Sequence, residues 1–377
     1  MLIGVPKEIK NQEFRVGLTP AGVRELSAAG HSVVIESKAG MGVGFDDATF
    51  AAAGAKIVAS AAEIYQQSQL LVKVKEPQES ECKMLRENQI LFAYLHLAPD
   101  PQQASLLKQS GAYCIAYETV TDRHGALPLL APMSEVAGRL SVQAAAHCLE
   151  KASGGSGVLL GGVPGVASGK VLIIGGGVVG LHAARIALGM GADVTLIDKS
   201  LARLRYIDEV FNGRISTLYS NQETIEQELK KADAVIGAVL VPGASAPKLV
   251  SKAQLALLKP GSVLVDVAID QGGCFETSRP TTHDKPTFIV NNIVHYCVAN
   301  MPGAVARTAT TALTNATLPF IMALASKNIN ALEEDAYLLA GLNVAKGKIT
   351  HQAVASALGE KAYDAKSLLF QQWRKRA

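Results

Sequence analysis

Several familiar signatures are missing from this 377-residue chain. Its five cysteines (Cys82, Cys114, Cys148, Cys274 and Cys297) are far apart and never spaced C-x-x-C. That excludes a disulfide framework and gives no metal-ligand pattern, so no metal is expected. Dispersed thiols of this kind are expected as small core residues in a reducing compartment. Charge of one sign is also lacking. The net charge is +3, and Lys and Arg are scattered apart from Arg374-Lys375-Arg376, which reads as a solvated end. No basic face for nucleic acid follows from that distribution. Long apolar runs are absent too. The stretch Val171–Leu196 is broken by His182, Arg185, Asp193 and several glycines, which excludes a membrane span. Met1–Lys10 carries Lys7, Glu8 and Lys10 after a very short apolar stretch, so no signal-peptide core is expected there. Aromatic residues make up 5%, and no repeat or low-complexity tract is present. The expectation is a soluble cytoplasmic protein with neither nucleic-acid nor membrane partners.

What remains is aliphatic and rich in glycine: 49% hydrophobic residues and 34 glycines. Buried parallel strands read as Val/Ile/Leu runs, so the composition points to α/β architecture. The length calls for two domains. Strands are expected at Leu2–Val5, Ser32–Glu36, Leu70–Lys75, Ile90–Leu95 and Tyr113–Tyr117. Helical patterns at Pro20–Ala29, Ala61–Gln67, Glu79–Leu85 and Pro101–Gly111 fall between them. Thr19 caps the first of these helices, with Pro20 in its first turn. A long helix, Ser134–Ala152, and a glycine-rich loop lead to a second series of strands. These are expected at Lys170–Ile174, Asp193–Asp198, Ala234–Gly237, Val263–Val267 and Phe288–Val290. A long helix at Ala304–Ala325 follows, and no later run could form a sheet of its own. The expected fold is therefore two Rossmann-like, doubly wound parallel-sheet domains separated by a cleft and joined by long helices. Residues 131–304 would form a nucleotide domain inserted into a substrate domain built from 1–130 and 305–377.

The sharpest local signal is Lys170-Val-Leu-Ile-Ile running into Gly175-Gly-Gly-Val178-Val179-Gly180. A bare G-x-G-x-x-G means little. Here it ends a strand, opens a helix and is followed by Asp198, 23 positions beyond Gly175 at the end of the next strand. Gly175 permits the tight turn, Gly177 lets the backbone approach a pyrophosphate, and Gly180 allows close helix–strand packing. The helix N-terminus favours phosphate charge. Asp198 can accept ribose hydroxyls and would repel a 2′-phosphate, which favours NAD over NADP. The motif alone also fits an FAD enzyme, and Lys199 and Arg203 lie close to Asp198 in sequence.

Ligands in open parallel sheets bind beyond the strands' carboxyl ends. Ionisable residues there are Arg15, Lys75, His96 and Asp270. Singly, each has an ordinary structural reading: solvated cations, a satisfied histidine, a turn-shaping aspartate. Together they suit an amino or keto acid. Arg15, in bidentate fashion, and Lys75 would hold its carboxylate, and the histidine would carry protons.

Several segments resemble L-alanine dehydrogenases over most of the chain. They are Gly4-Val-Pro-Lys-Glu-Ile-Lys-Asn-Gln-Glu-Phe-Arg-Val-Gly-Leu-Thr-Pro20, Val74-Lys-Glu-Pro77, Tyr94-Leu-His-Leu-Ala98, Pro132-Met-Ser-Glu-Val-Ala-Gly-Arg139, Val267-Ala-Ile-Asp-Gln-Gly-Gly273 and Asn300-Met-Pro-Gly-Ala-Val305. The resemblance implies reversible, NAD-dependent oxidative deamination of L-alanine to pyruvate and ammonium. It implies Arg15 and Lys75 on the substrate carboxylate, with His96 and Asp270 as acid–base groups. Around NAD it implies Ser134, Gly175, Gly177, Val178, Val179, Gly180, Asp198, Arg203, Ser220, Val239, Leu240, Val267, Ala268, Ile269, Asp270, Arg279, Val298, Ala299, Asn300 and Met301. It also implies a homohexamer. Gln12 and Gly17 depart from the family's usual asparagine and alanine, and the tail after about Ala362 is the least similar part. Two other functions compete. One is a nucleotide-binding subunit resembling the soluble domain of a proton-translocating transhydrogenase. The other is a reductase of larger amino or keto acids.

Overall fold

The computed structural model describes residues 1–239 and 246–374. Its strands are β1 (Leu2–Val5), β2 (Ser32–Glu36), β3 (Lys56–Val58), β4 (Leu70–Val72), β5 (Ile90–Ala93) and β6 (Tyr113–Ala116). A second series follows: β7 (Lys170–Ile174), β8 (Asp193–Asp198), β9 (Ser216–Tyr219), β10 (Ala234–Gly237), β11 (Val263–Asp266), β12 (Thr287–Val290) and β13 (Ile293–Tyr296). Near the C-terminus come β14 (Leu342–Ala345) and β15 (Lys348–Ile349). Two units result: Met1–Met133 with Val305–Ala377, and Ser134–Ala304.

The first unit holds an eight-stranded sheet in the order β15-β14-β6-β5-β4-β1-β2-β3. The six strands from β1 to β6 run parallel, β14 is antiparallel to β6, and β15 to β14. The second unit holds seven strands, β12-β13-β11-β10-β7-β8-β9, all parallel except the edge strand β12. Both sheets are thus mixed but dominated by parallel pairs. Central strands such as β5, β6, β10 and β11 are buried along their whole length. This is why they read as continuous aliphatic runs.

The first helix, Pro20–Ala28, starts as its sequence dictates: the Thr19 hydroxyl accepts Gly22 N–H at 3.2 Å, and Pro20 occupies the first turn. Other boundaries moved. The linking helix runs Ala131–Cys148, beginning three residues before the expected Ser134, with Pro132 where a missing N–H costs nothing. The strand expected to reach Lys75 stops at Val72, which leaves Lys73–Lys75 in the loop that follows. β3, β9 and β13 had not been expected. The region after residue 304 also carries two short strands, which extend the first sheet at β6.

Candidate active site

β1, β4 and β5 are neighbours and run parallel, so the loops leaving their carboxyl ends share one edge of the sheet. Those loops carry Arg15, Lys75 and His96. The Arg15 loop lies directly against β4: a Cβ at Gly17 would fall 2.5 Å from the Val72 carbonyl oxygen. In this chain the absence of a Cβ at Gly17 lets the loop run this close to β4.

Arg15 is only 2% exposed. Its Nε donates to Glu13 Oε1 at 2.7 Å and its Nη2 to Glu13 Oε2 at 2.6 Å. Burial works against the guanidinium's charge, yet the Glu13 carboxylate more than offsets it, so the pKa lies above its ordinary value. The Nε–Nη2 edge of Arg15 thus faces Glu13, and Nη1 donates to Met133 Sδ at 3.1 Å.

Lys75 is 9% exposed, so it is not the solvated lysine usual at a strand end. Its loop is moored to the first one. Glu8 Oε1 accepts the N–H of Val74 at 2.7 Å and of Lys75 at 3.4 Å, and Lys10 pairs with Glu76. Beneath the loop, fully buried Lys73 donates to Glu8 Oε2 at 3.0 Å and Glu81 Oε1 at 2.7 Å, with Tyr65 Oη 3.3 Å from Glu81. Burial raises the Glu8 pKa despite the adjacent lysine.

His96 adopts φ +48°, a left-handed conformation uncommon for a side-chain-bearing residue. Glu118 holds it there, accepting the N–H of His96 at 2.6 Å and of Leu95 at 3.2 Å. The same carboxylate lies 3.9 Å from His96 Nδ1. The imidazole stacks on Tyr94, centroids 5.8 Å apart. Tyr94 donates to Leu129 O at 2.6 Å, and burial pushes its phenol pKa well up, so it stays a donor. The glutamates Glu8, Glu13 and Glu118 were not among the sequence candidates. Glu8 and Glu13 lie inside the long Gly4–Pro20 segment but carry no local signature of their partners.

In the second unit the sheet order reverses around β7, whose neighbours are β8 and β10. Beyond β7 comes the glycine loop. Gly175 has φ +106°, and a Cβ there would fall 2.7 Å from Ala238 O. At Gly180 a Cβ would fall 1.8 Å from Gly175 O, whereas at Gly177 it would meet nothing within 4 Å. The loop is thus closed on its inner side and open at Gly177. The helix Val178–Gly189 begins there with no side-chain cap, leaving the N–H groups of its first turn for a ligand. Asp198 ends β8 and accepts Gly176 N–H at 2.7 Å and Ser200 N–H at 2.8 Å. Arg203 turns back to donate to Gly176 O and Gly177 O, bracing the loop.

Ser220, Val239, Val267–Ile269, Asp270 and Val298–Met301 follow the carboxyl ends of β9, β10, β11 and β13, so all flank the same edge as the glycine loop. Asp270 is exposed at the middle of a single 3₁₀ turn, Ile269–Gln271, ended by Gly272 at φ +89°. Arg279 lies over the Phe288 ring at 4.4 Å, and Thr281 and Val298 form an isolated bridge. Ser134 lies near the start of helix Ala131–Cys148, which packs so closely that a Cβ at Gly138 would be 2.3 Å from Val179 O. Leu240 lies outside the described residues. Among the described residues, no group of three His, Cys, Asp or Glu side chains could hold a metal ion, and no helix is long and apolar enough to cross a membrane.

Residues 4–137 match the family model for the N-terminal domain of alanine dehydrogenase/PNT, and residues 141–352 match its C-terminal domain. The chain belongs to the alanine dehydrogenase/PNT family. An alanine dehydrogenase from Halomonas elongata is 58% identical over 370 residues, covering 98% of this chain and 100% of that one. A solved L-alanine dehydrogenase superposes with a TM-score of 0.93 at 52% identity, covering 95% of this chain and 99% of its own. A transhydrogenase from Sinorhizobium meliloti superposes at 0.80 with 24% identity, covering 94% and 100%, a likeness of fold alone. In this alanine dehydrogenase/PNT chain, both units thus carry their candidate residues beyond the carboxyl ends of parallel strands.

Proposed function

We propose that this chain interconverts L-alanine with pyruvate and ammonium, using NAD as hydride acceptor. It is an oxidoreductase of the alanine dehydrogenase class, which rests on relatives more than half identical over its whole length. The observation that carries the substrate reading is the placement of Arg15, Lys75 and His96 beyond three adjacent parallel strands. On this reading the first unit holds the substrate and the second the nucleotide.

The glycine loop fits a dinucleotide: Gly177 leaves room for a pyrophosphate, uncapped N–H groups face it, and the Asp198 carboxylate suits ribose hydroxyls. Held by that loop, NAD would supply the nicotinamide that accepts a hydride from the substrate's Cα. Arg15, whose guanidinium Glu13 orients, and Lys75 hold the substrate carboxylate. His96 takes a proton from the water that attacks the imine carbon, and Asp270 moves a proton as the carbinolamine loses ammonia. The buried free thiols fit a reducing cytoplasm, and the hexamer implied by the resemblance is the proposed assembly.

The test is direct. Purified protein should form NADH from NAD only when L-alanine is supplied, and should consume NADH with pyruvate plus ammonium. No alanine-dependent NADH formation would refute the proposal. NADH formation from bulkier amino acids alone would favour the larger-substrate alternative.

A further inference from the structure

β11 ends in Asp266, a carboxylate with 0% exposure that none of the roles above uses. Its Oδ2 accepts Cys274 N–H at 2.8 Å, Phe275 N–H at 3.2 Å and the Ser278 hydroxyl at 2.5 Å, and its Oδ1 accepts Ala268 N–H at 3.2 Å. The donors come from both sides of one short excursion of chain, residues 267–278. Asp270 stands at its tip, and Val267–Ile269 form its outgoing arm. From outside, Lys248 collects the carbonyls instead. It donates to Gly272 O, to Gly273 O at 2.9 Å and to Phe275 O at 3.3 Å. The returning arm crosses so close beneath that a Cβ at Gly273 would fall 2.6 Å from Asp266 Oδ2. One carboxylate therefore takes the excursion's inward N–H groups, and one ammonium takes its outward carbonyls.

We propose that Asp266, with Ser278 and Lys248 as its supports, is a positioning residue that fixes Asp270 at the height and direction its proton transfer needs. The inference rests on the reading of Asp270 as a proton carrier. The chemistry is suited to the task. An ionised acceptor binds N–H groups about twice as strongly as a neutral one, so four donors converging on it hold a loop tightly. Displacing a reacting group by about 1 Å costs on the order of 10²-fold in rate. Asp266→Asn keeps the shape but turns an NH₂ donor toward the N–H groups of Cys274 and Phe275, or toward that of Ala268.

The experiment is a double-mutant cycle on the full-length enzyme, reading kcat and the KM for pyruvate in Asp266→Asn, Asp270→Asn and the double variant. Asp270→Asn should lower kcat about 10²-fold. Asp266→Asn should lower kcat about tenfold or more with little change in KM, and by less than about twofold once Asp270 is already Asn. An equal loss in both backgrounds marks a purely structural role and overturns the inference, as does an unchanged kcat in Asp266→Asn. A fully active Asp270→Asn protein instead overturns the reading of Asp270 and takes the inference with it. If Asp266→Asn does not fold, Ser278→Ala, which removes one donor only, gives the same cycle. A smaller fall in kcat confined to the parent background supports the inference, and a background-independent one overturns it.

Discussion

Replacing Lys73 with methionine isolates the buried ion cluster under the Lys75 loop. Methionine retains the stem's volume, so packing changes little and the charge is what is lost. Lys73 is fully buried and donates to both Glu8 and Glu81. Without it, two buried carboxylates face one another with no cation between them. Breaking a buried pair in this way costs about 3–5 kcal/mol. At roughly 2–4 °C per kcal/mol for a unit of about 200 residues, the melting temperature should fall by about 6–20 °C. The sign with pH follows from Glu8. Its folded pKa already lies above the usual 4.5 through burial, and losing Lys73 raises it further. A carboxyl group with a raised folded pKa is tolerated when protonated and destabilises the fold as pH rises through that value. The loss should therefore be large near about pH 8 and shrink near about pH 5.5. Lys73→Met/Glu8→Gln should recover part of it. Because Glu8 also accepts the Val74 and Lys75 N–H groups, the double variant should regain stability without regaining the parent's KM for pyruvate. Thermal melts at the two pH values decide the matter. A melting temperature within about 1 °C of the parent at the higher pH, or a loss independent of pH, refutes the reasoning.

Glu13→Gln should raise the KM for pyruvate about tenfold while leaving that for NAD unchanged, since Glu13 aims the Arg15 guanidinium; an unchanged pyruvate KM refutes this. Asp198→Ala should weaken NAD by about 10–100-fold, the weight of hydrogen bonds to a charged group, and narrow the preference over NADP. Unaltered NAD/NADP selectivity in steady-state kinetics would remove the ribose contact. The five thiols should resist iodoacetamide in the native enzyme at about pH 8 and all react in denaturant, because burial pushes Cys82, Cys274 and Cys297 to about 12 and Cys148 to about 11. Rapid labelling of native protein, followed by mass spectrometry, would contradict their burial.

The β7–glycine-loop–helix unit was legible because its constraints are local. A left-handed Gly175 and a Gly180 whose Cβ would collide with Gly175 O leave no room for a larger residue, and an aliphatic strand precedes them. β9 was not, because Ser216-Thr-Leu-Tyr219 is a half-buried strand with no apolar run. β13 was hidden by His295. It is buried on that strand only because it bonds Thr277 Oγ1 at 2.8 Å and the Ile293 carbonyl at 3.0 Å, partners fixed by the fold. The cations Arg15 and Lys75 could be located from strand ends, but their burial could not. It depends on Glu13 and Glu8, ordinary acidic residues until the loops meet. Glu118 reaches His96 across 22 positions of sequence, and no spacing rule announces such a pair.

The two short strands β14 and β15 have a consequence for how the molecule is made. They cover the β6 edge of the first sheet, yet about 225 residues, including the whole second unit, are synthesised between β6 and β14. At about 5–20 residues per second, the ribosome leaves that edge bare for some 11–45 s. An uncovered strand edge is a template for pairing with other chains. The nascent enzyme therefore finishes its inserted unit while its first sheet is still incomplete, and the last strands to emerge seal the one that waited.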